Sequence, residues 1–211
     1  MPLPVNEDLR LSEDQRDALQ EVANIGMGQA GSALAQLLDT FVALSVPRIQ
    51  LVRVTELGKA LADMVDSASP VTAVRQSFQC DIRGEAIVIY GREGTSQLWD
   101  LMGYEATDEP DAAAERELLV DVANVLVGAC ICNVFEQLGR SLSFSKPTVI
   151  GENVPVEYLL QPSALSWKVA LLVEVNFSLR DRQFTSHLLT LMPEESIQQM
   201  KRALDHFLAN L

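Results

Sequence analysis

Two sets of polar residues are spaced so that each could act as a unit on one side of a helix. The sets lie one hundred positions apart: Asp17, Glu21, Asn24 and Gly28, and then Glu117, Asp121, Asn124 and Gly128. At about 100° per residue, each set forms a stripe along a helix. A carboxylate and a carboxamide one turn apart can reach the same external group, because the first accepts from a cation and the second both donates and accepts. The glycine leaves room for another backbone to approach.

A solvated helix face is the alternative explanation for one such stripe. Asn and Gly are poor helix formers, however, and Gly costs about 1 kcal/mol against Ala, so an exposed face gains nothing from them. Their recurrence in both halves favours contact with a partner or a reaction. Ile25 and Val125 flank the stripes. They could provide an apolar contact surface for that partner, or they could be partly buried at the helix edge.

Capping signals and apolar spacing predict the helices that carry these stripes. Ser12 with Gln15 three residues later is typical of a capping box, and apolar residues then recur at helical spacing to about residue 38. The second long helix is predicted at 111–138. The first half should add a strand at 48–55, a short helix at 56–65, strands at 71–82 and 85–90 joined by a turn at Arg83 and Gly84, and a helix at 95–102.

The second half repeats this order. An apolar run at 148–150 is followed by a predicted hairpin of 167–179 and 183–191 around 180–182, and by a helix at 194–208. When the sequence is shifted by one hundred positions, identical residues meet within and beyond the helices. The first members of these pairs are Arg16, Leu19, Val22, Ala23, Asn24, Gly28, Leu38, Ser45 and Pro47.

Helix periodicity does not require a shared Asn or a shared Pro at a fixed distance beyond the helix, so duplication is the better explanation. We therefore predict an internally duplicated α+β fold with a largely antiparallel sheet, two long helices on one face and pseudo-twofold symmetry. A single domain of 211 residues would contain two repeats, at about 11–104 and 111–209.

Composition excludes some classes of partner and indicates the cellular compartment. The formal net charge of −13 at pH 7 argues against nucleic acid and anionic membrane surfaces as partners. The N-terminal residues show no secretory signal, and the apolar stretch 118–135 is interrupted by Asp121, Asn124 and Asn133, so no membrane insertion is expected. Three cysteines, an odd number, fit reduced core thiols in a cytoplasmic protein.

Two weaker motifs indicate neither a cofactor nor a metal. Residues 26–31 match G-x-G-x-x-G, but that nucleotide fingerprint needs a preceding strand, whereas here a helix is already running. Cys130 and Cys132 lack zinc-site spacing, and neither His187 nor His206 is placed to complete a site. We expect no cofactor held by this chain.

The duplicated pattern Asp17-x3-Glu21-x2-Asn24-x22-Pro47 and Glu117-x3-Asp121-x2-Asn124-x22-Pro147 resembles the CheC-type phosphatases of bacterial chemotaxis, a family related to CheX and FliY. The resemblance covers about 11–208. It implies hydrolysis of the aspartyl phosphate on a CheY-like response regulator, with the Mg²⁺ supplied by that partner. It also implies that Glu21 pairs with a regulator lysine while Asn24 orients the attacking water.

The second set departs from the family pattern, and this leaves alternatives open. Asp121 is one methylene shorter than the expected Glu, so its site is either weaker, tolerant of either acid, or partly compensated by Glu117. The main alternative function is a non-catalytic binding module for a response regulator or the flagellar switch. A third is partnership with a CheD-like receptor deamidase, for which 56–65 is a candidate docking helix, although such a segment is more often just a connector.

Overall fold

The computed structural model describes residues 7–65, 70–91, 98, 112–160, 167–179 and 185–210. Its helices are α1 (Glu13–Leu38), α2 (Leu57–Met64), α3 (Ala112–Gln137) and α4 (Glu194–Leu208). The strands of the first half are β1 (Val42–Leu44), β2 (Arg48–Arg53), β3 (Val71–Gln79) and β4 (Arg83–Gly91). Those of the second half are β5 (Ser143–Phe144), β6 (Thr148–Val154), β7 (Val169–Leu179) and β8 (Thr185–Pro193).

Antiparallel pairing joins the eight strands into one sheet. The main path runs β1, β7, β8, β4, β3, β5, while β2 also pairs with β7 and β6 also pairs with β3. The short strands that follow each long helix therefore pair with the hairpin of the other half. The two halves exchange strands, so the sheet cannot be divided between them. The repeat boundaries at 11–104 and 111–209 remain a prediction.

The long helices lie together on one face of the sheet, where the larger core forms. The capping box at Ser12 and Gln15 opens α1, and buried apolar residues of α1, α3 and α4 pack on the strands beneath them. Helix α3 is apolar and long enough to span a membrane by length and composition, but 56% of its most apolar stretch is buried in this fold. It packs as a core helix. A second apolar cluster on the opposite face holds α2.

The predicted fold class is confirmed, and the main local error concerns one turn. Arg83 and Gly84 belong to β4, where they pair with Gln79 and Phe78, and the connection lies at 80–82 instead. Gly84 is required for packing, because a Cβ there would collide with the Phe78 ring and lie 2.7 Å from the Leu191 carbonyl oxygen.

The remaining differences are in short elements. The brief strands β1 and β5 were not predicted, and β6 continues to Val154, well beyond the apolar run. The predicted helix at 95–102 falls outside the described residues except for the buried Leu98, and the turn at 180–182 falls outside them entirely.

Two glycines two positions apart in α1 allow a matched test of helix packing. A Cβ on Gly26 would lie 2.9 Å from the Cys130 carbonyl oxygen and 3.0 Å from Val134 Cγ2, whereas one on Gly28 would meet nothing within 4 Å. Both Ala variants gain the same helix propensity, but only Gly26→Ala forces α1 and α3 apart. We expect its free energy of unfolding to be about 1–3 kcal/mol below that of Gly28→Ala in urea titrations. Equal values would show that the helices are not in close contact at Gly26.

Candidate functional site

Both predicted stripes lie on the outer surfaces of the long helices. On α1 all four members are exposed: Asp17, Glu21, Asn24 and Gly28. On α3 the first three members are exposed and the last is partly buried: Glu117, Asp121, Asn124 and Gly128. The opposite side of each helix is sealed in the core, as Val22 and Val122 are both fully buried. Within each helix the structure brings the predicted acid and amide together on one face.

The carboxylates of the stripes are available to an external cation. In the part of the chain that the structure describes, Asp17, Glu21, Glu117 and Asp121 form no ion pair or side-chain hydrogen bond. The nearest basic residue in sequence to the second stripe, Arg116, pairs with Glu152 at 3.4 Å instead. A lysine or arginine of a partner could therefore pair with either stripe without displacing an internal partner.

The two stripes run in opposite directions. Gly26 lies against Cys130, and the Gln137 side-chain amide donates to the Val22 carbonyl at 3.4 Å, so α1 and α3 are antiparallel neighbours. From these two contacts Asn24 and Asn124 are separated by about 12–17 Å along the helix direction at 1.5 Å per residue. They form two separate sites, each with its own acid and its own amide.

The stripe glycines differ from the glycine that packs the helices. A Cβ on Gly28 or Gly128 would meet no atom within 4 Å, so neither is needed for packing inside this chain. Each instead leaves a bare patch one turn beyond the asparagine. The helices do not approach each other through the stripe glycines, and this agrees with a surface kept open for another molecule.

The residues flanking the stripes are unequal. Ile25 is 43% exposed, whereas Val125 is partly buried. An apolar contact surface for a partner is therefore available mainly beside the first stripe. The same contrast holds in the connections that follow the helices, where Val46 is 60% exposed and the corresponding residue is Lys146. The first site therefore has the more apolar surroundings.

The repeated serine anchors the chain beyond each helix to the sheet. Ser45 exchanges backbone and side-chain hydrogen bonds with Asn176, and Ser145 does the same with Ser77, with all four distances at 3.0 Å. Each serine is two residues before the repeated proline that precedes the next strand, which explains this part of the duplicated motif in structural terms. These hydrogen bonds of the two serines fix the connection beside each stripe.

One residue near the second stripe was not found from the sequence. Gln76 of β3 is 4% exposed, and its Nε2 donates to Asn124 Oδ1 at 3.1 Å. A shift of one hundred positions aligns Gln76 with Asn176. The pairings of β1 with β7 and of β5 with β3, however, relate the β3–β4 hairpin to the β7–β8 hairpin by a shift of ninety-nine positions. Val175 is therefore the structural equivalent of Gln76. The one-residue difference in register concealed Gln76, and no spacing signal points to it.

The three cysteines are free thiols in this fold. Burial raises the pKa of the Cys130 thiol far above its ordinary value, and burial is also the main cause of the raised pKa of Cys80 and Cys132. A raised pKa lowers the thiolate fraction and with it the reactivity. The cysteines therefore offer no activated nucleophile to either site.

Sequence comparisons connect this chain with chemotaxis proteins. A family model described as the CheC-like family matches residues 15–50, which include the first stripe. The chain is 28% identical over 144 residues to the CheY-P phosphatase CheC of Bacillus subtilis, in a match covering 66% of this chain and 67% of that protein. It is 22% identical over 142 residues to the flagellar motor switch phosphatase FliY of the same organism, covering 66% of this chain but 36% of the length of FliY.

Solved structures agree on the fold. Thermotoga maritima FliY matches with a TM-score of 0.72 at 17% identity, covering 93% of this chain and 98% of that one. FliM from Helicobacter pylori, in a complex with SpeE, matches with a TM-score of 0.63 at 13% identity, covering 93% and 97%. The resemblance to the CheC-like family is thus confirmed in sequence and in fold. Similar proteins include two named phosphatases and FliM.

Proposed function

We propose that this protein hydrolyses the aspartyl phosphate of a CheY-like response regulator. The observation that carries the proposal is found on each long helix: an exposed asparagine lies one turn from a carboxylate that has no ion pair among the described residues. Named phosphatases among the relatives support it, since one acts on CheY-P by its name. The assignment of the catalytic pairs to Glu21 with Asn24 and Asp121 with Asn124 belongs to the same proposal.

This chain would contribute to the reaction by positioning the regulator and the attacking water, and the partner would supply the reactive groups. The regulator brings the acyl phosphate and its Mg²⁺, which balances the phosphoryl charge. Glu21 would accept from a lysine of the regulator and fix the docking. The Asn24 carboxamide would then hold a water in line with the scissile bond, and alignment of this kind lowers the barrier by removing orientational freedom.

In this reaction the water oxygen forms a bond to phosphorus while the bond from phosphorus to the aspartyl oxygen breaks. The products are inorganic phosphate and the regulator's free carboxylate; one proton of the water stays on the phosphate, and the other passes to a second phosphate oxygen or to solvent. No side chain of this protein is modified. The absence of an activated cysteine near the stripes in the described residues is compatible with this route.

The two sites would differ in strength. Asp121 reaches less far than Glu21, so its pairing with a lysine requires a closer approach of the helices, and Glu117 could partly compensate. Ile25 beside the first site offers exposed apolar area that Val125 lacks. Both differences favour docking at the first site.

A non-catalytic binding module is the second candidate, and the fold match to FliM favours it. The same surface could dock a regulator or a switch component without hydrolysis. Partnership with a CheD-like deamidase remains a further prediction; α2, its candidate docking helix, packs with Leu57 and Leu61 fully buried on the sheet face opposite the stripes. We place the protein in the cytoplasm, where its reduced cysteines and a chemotaxis regulator would coexist.

The direct test is the decay of a phosphorylated CheY-like regulator with Mg²⁺ present, followed with and without this protein. We expect catalytic amounts to shorten the lifetime of the phosphorylated form and to release inorganic phosphate. If the regulator binds but its decay is unchanged, the binding module is the correct function.

A further inference from the structure

One buried glutamine contacts the second of the two asparagines. Gln76 lies between Val74 and Phe78 on the face of β3 that packs against the long helices. Its Nε2 donates to Asn124 Oδ1 at 3.1 Å and to the Ser145 backbone carbonyl at 3.0 Å. A single amide group therefore connects the sheet, the β5 to β6 connection and α3.

The Ser145 carbonyl determines which way both amides point. A backbone carbonyl can only accept, so the Gln76 atom that faces it must be Nε2. Both hydrogens of that nitrogen are donors, and the Asn124 atom beside it must therefore be Oδ1. As a result, Nδ2 of Asn124 is turned away from Gln76.

The first site lacks this arrangement. Leu44 pairs with Phe177 and Phe144 pairs with Phe78, so the residue equivalent to Gln76 is the buried Val175, which can donate nothing. In the described part of the chain, the Asn24 carboxamide has no hydrogen-bond partner. No hydrogen bond within this part of the chain fixes its orientation.

We propose that Gln76 is a positioning residue of the second site, which holds the Asn124 carboxamide in one orientation before the regulator docks. This inference rests on the proposed function and deepens it. A side chain fixed in advance loses less freedom on binding, and loss of such ordering changes a rate by about three- to tenfold. Gln76 thereby makes the second site preorganised, whereas the first is ordered only by its partner.

The kinetic test compares Gln76→Leu in two backgrounds. In Asn24→Ala, where only the second site remains, we expect the rate constant at saturating regulator to fall about three- to tenfold with KM unchanged. In Asn124→Ala, where only the first site remains, the same substitution should change neither value. Leucine has a similar shape and removes the Oε1 that is buried without a hydrogen bond, so the fold should be retained.

A measurement on the protein alone keeps this test separate from the proposed function. The side-chain ¹⁵N heteronuclear NOE of Asn124 should exceed that of Asn24 in the wild type and should fall to the Asn24 value in Gln76→Leu. An unchanged NOE would overturn the positioning role even if no variant hydrolysed phosphate. A lowered NOE with an unchanged rate in Asn24→Ala would overturn it equally. Absence of hydrolysis in every variant, with the NOE behaving as expected, would refute the phosphatase and leave the ordering of Asn124 established.

Discussion

Replacement of both Asn24 and Asn124 by Ala is expected to abolish the acceleration of regulator dephosphorylation. If each carboxamide aligns the attacking water, removing both returns that water to free solvent, and misalignment of a reacting group costs about 100-fold in rate. Regulator decay in the presence of the double variant should then approach its spontaneous rate. The measurement is phosphate release at saturating regulator, with the two single variants assigning activity to each site.

The double variant should still fold, because Gln76 keeps its hydrogen bond to the Ser145 carbonyl when Asn124 is replaced. Both asparagines are exposed on helices, and Ala has the higher helix propensity, by several tenths of a kcal/mol at each position. Loss of the hydrogen bond from Gln76 to Asn124 opposes this gain, so the thermal midpoint should stay close to that of the parent. Regulator binding should persist because the carboxylates remain. Full activity in a folded double variant would exclude the asparagines from the reaction.

Charge reversal of the stripe acids is expected to weaken docking while leaving the chemistry intact. Glu21→Lys would place two cations together if this residue meets a regulator lysine, and such a juxtaposition costs several kcal/mol. We expect KM for the phosphorylated regulator to rise about 100-fold at the first site, measured with Asn124 replaced by Ala. Asp121→Lys, measured with Asn24 replaced by Ala, should have a smaller effect because its carboxylate reaches less far.

An acid elsewhere on the surface separates docking from the effect of net charge. Asp63 is exposed on α2, which packs on the sheet face opposite the stripes. Asp63→Lys changes the total charge by the same amount, so its KM should stay close to that of the parent. If Asp63→Lys and Glu21→Lys raise KM equally, the stripe acids have no specific role in docking.

The sequence predicted the long helices and their outward polar faces because these features are local. Helical spacing and a capping box can be detected within a few turns, and the poor helix formers of the two helices then show the same spacing. The same holds for α4, whose predicted bounds match those of the structure. The exchange of β1, β2, β5 and β6 between halves could not be predicted in this way, because it depends on pairings across more than fifty residues.

The contact between Gln76 and Asn124 shows which part of the candidate site could not be predicted from the sequence. It joins residues 48 positions apart and depends on a strand register that differs by one residue from the register of the helices. Sequence alone could indicate two similar candidate sites and the shorter acid of the second, but the hydrogen bond from Gln76 to Asn124 depends on the packing beneath the helices. Gly84 is a comparable case, since the local pattern predicts a turn while the Phe78 ring requires the glycine within a strand.

A crystal structure of the complex with a fluoroberyllate-activated regulator in Mg²⁺ would show where the asparagine amides lie relative to the beryllium. We predict that the Asn24 or Asn124 carboxamide faces the fluoroberyllate group opposite the aspartyl oxygen, with space for one water between them. Docking of the regulator on another surface, with both amides remote from that group, would exclude both asparagines from the reaction.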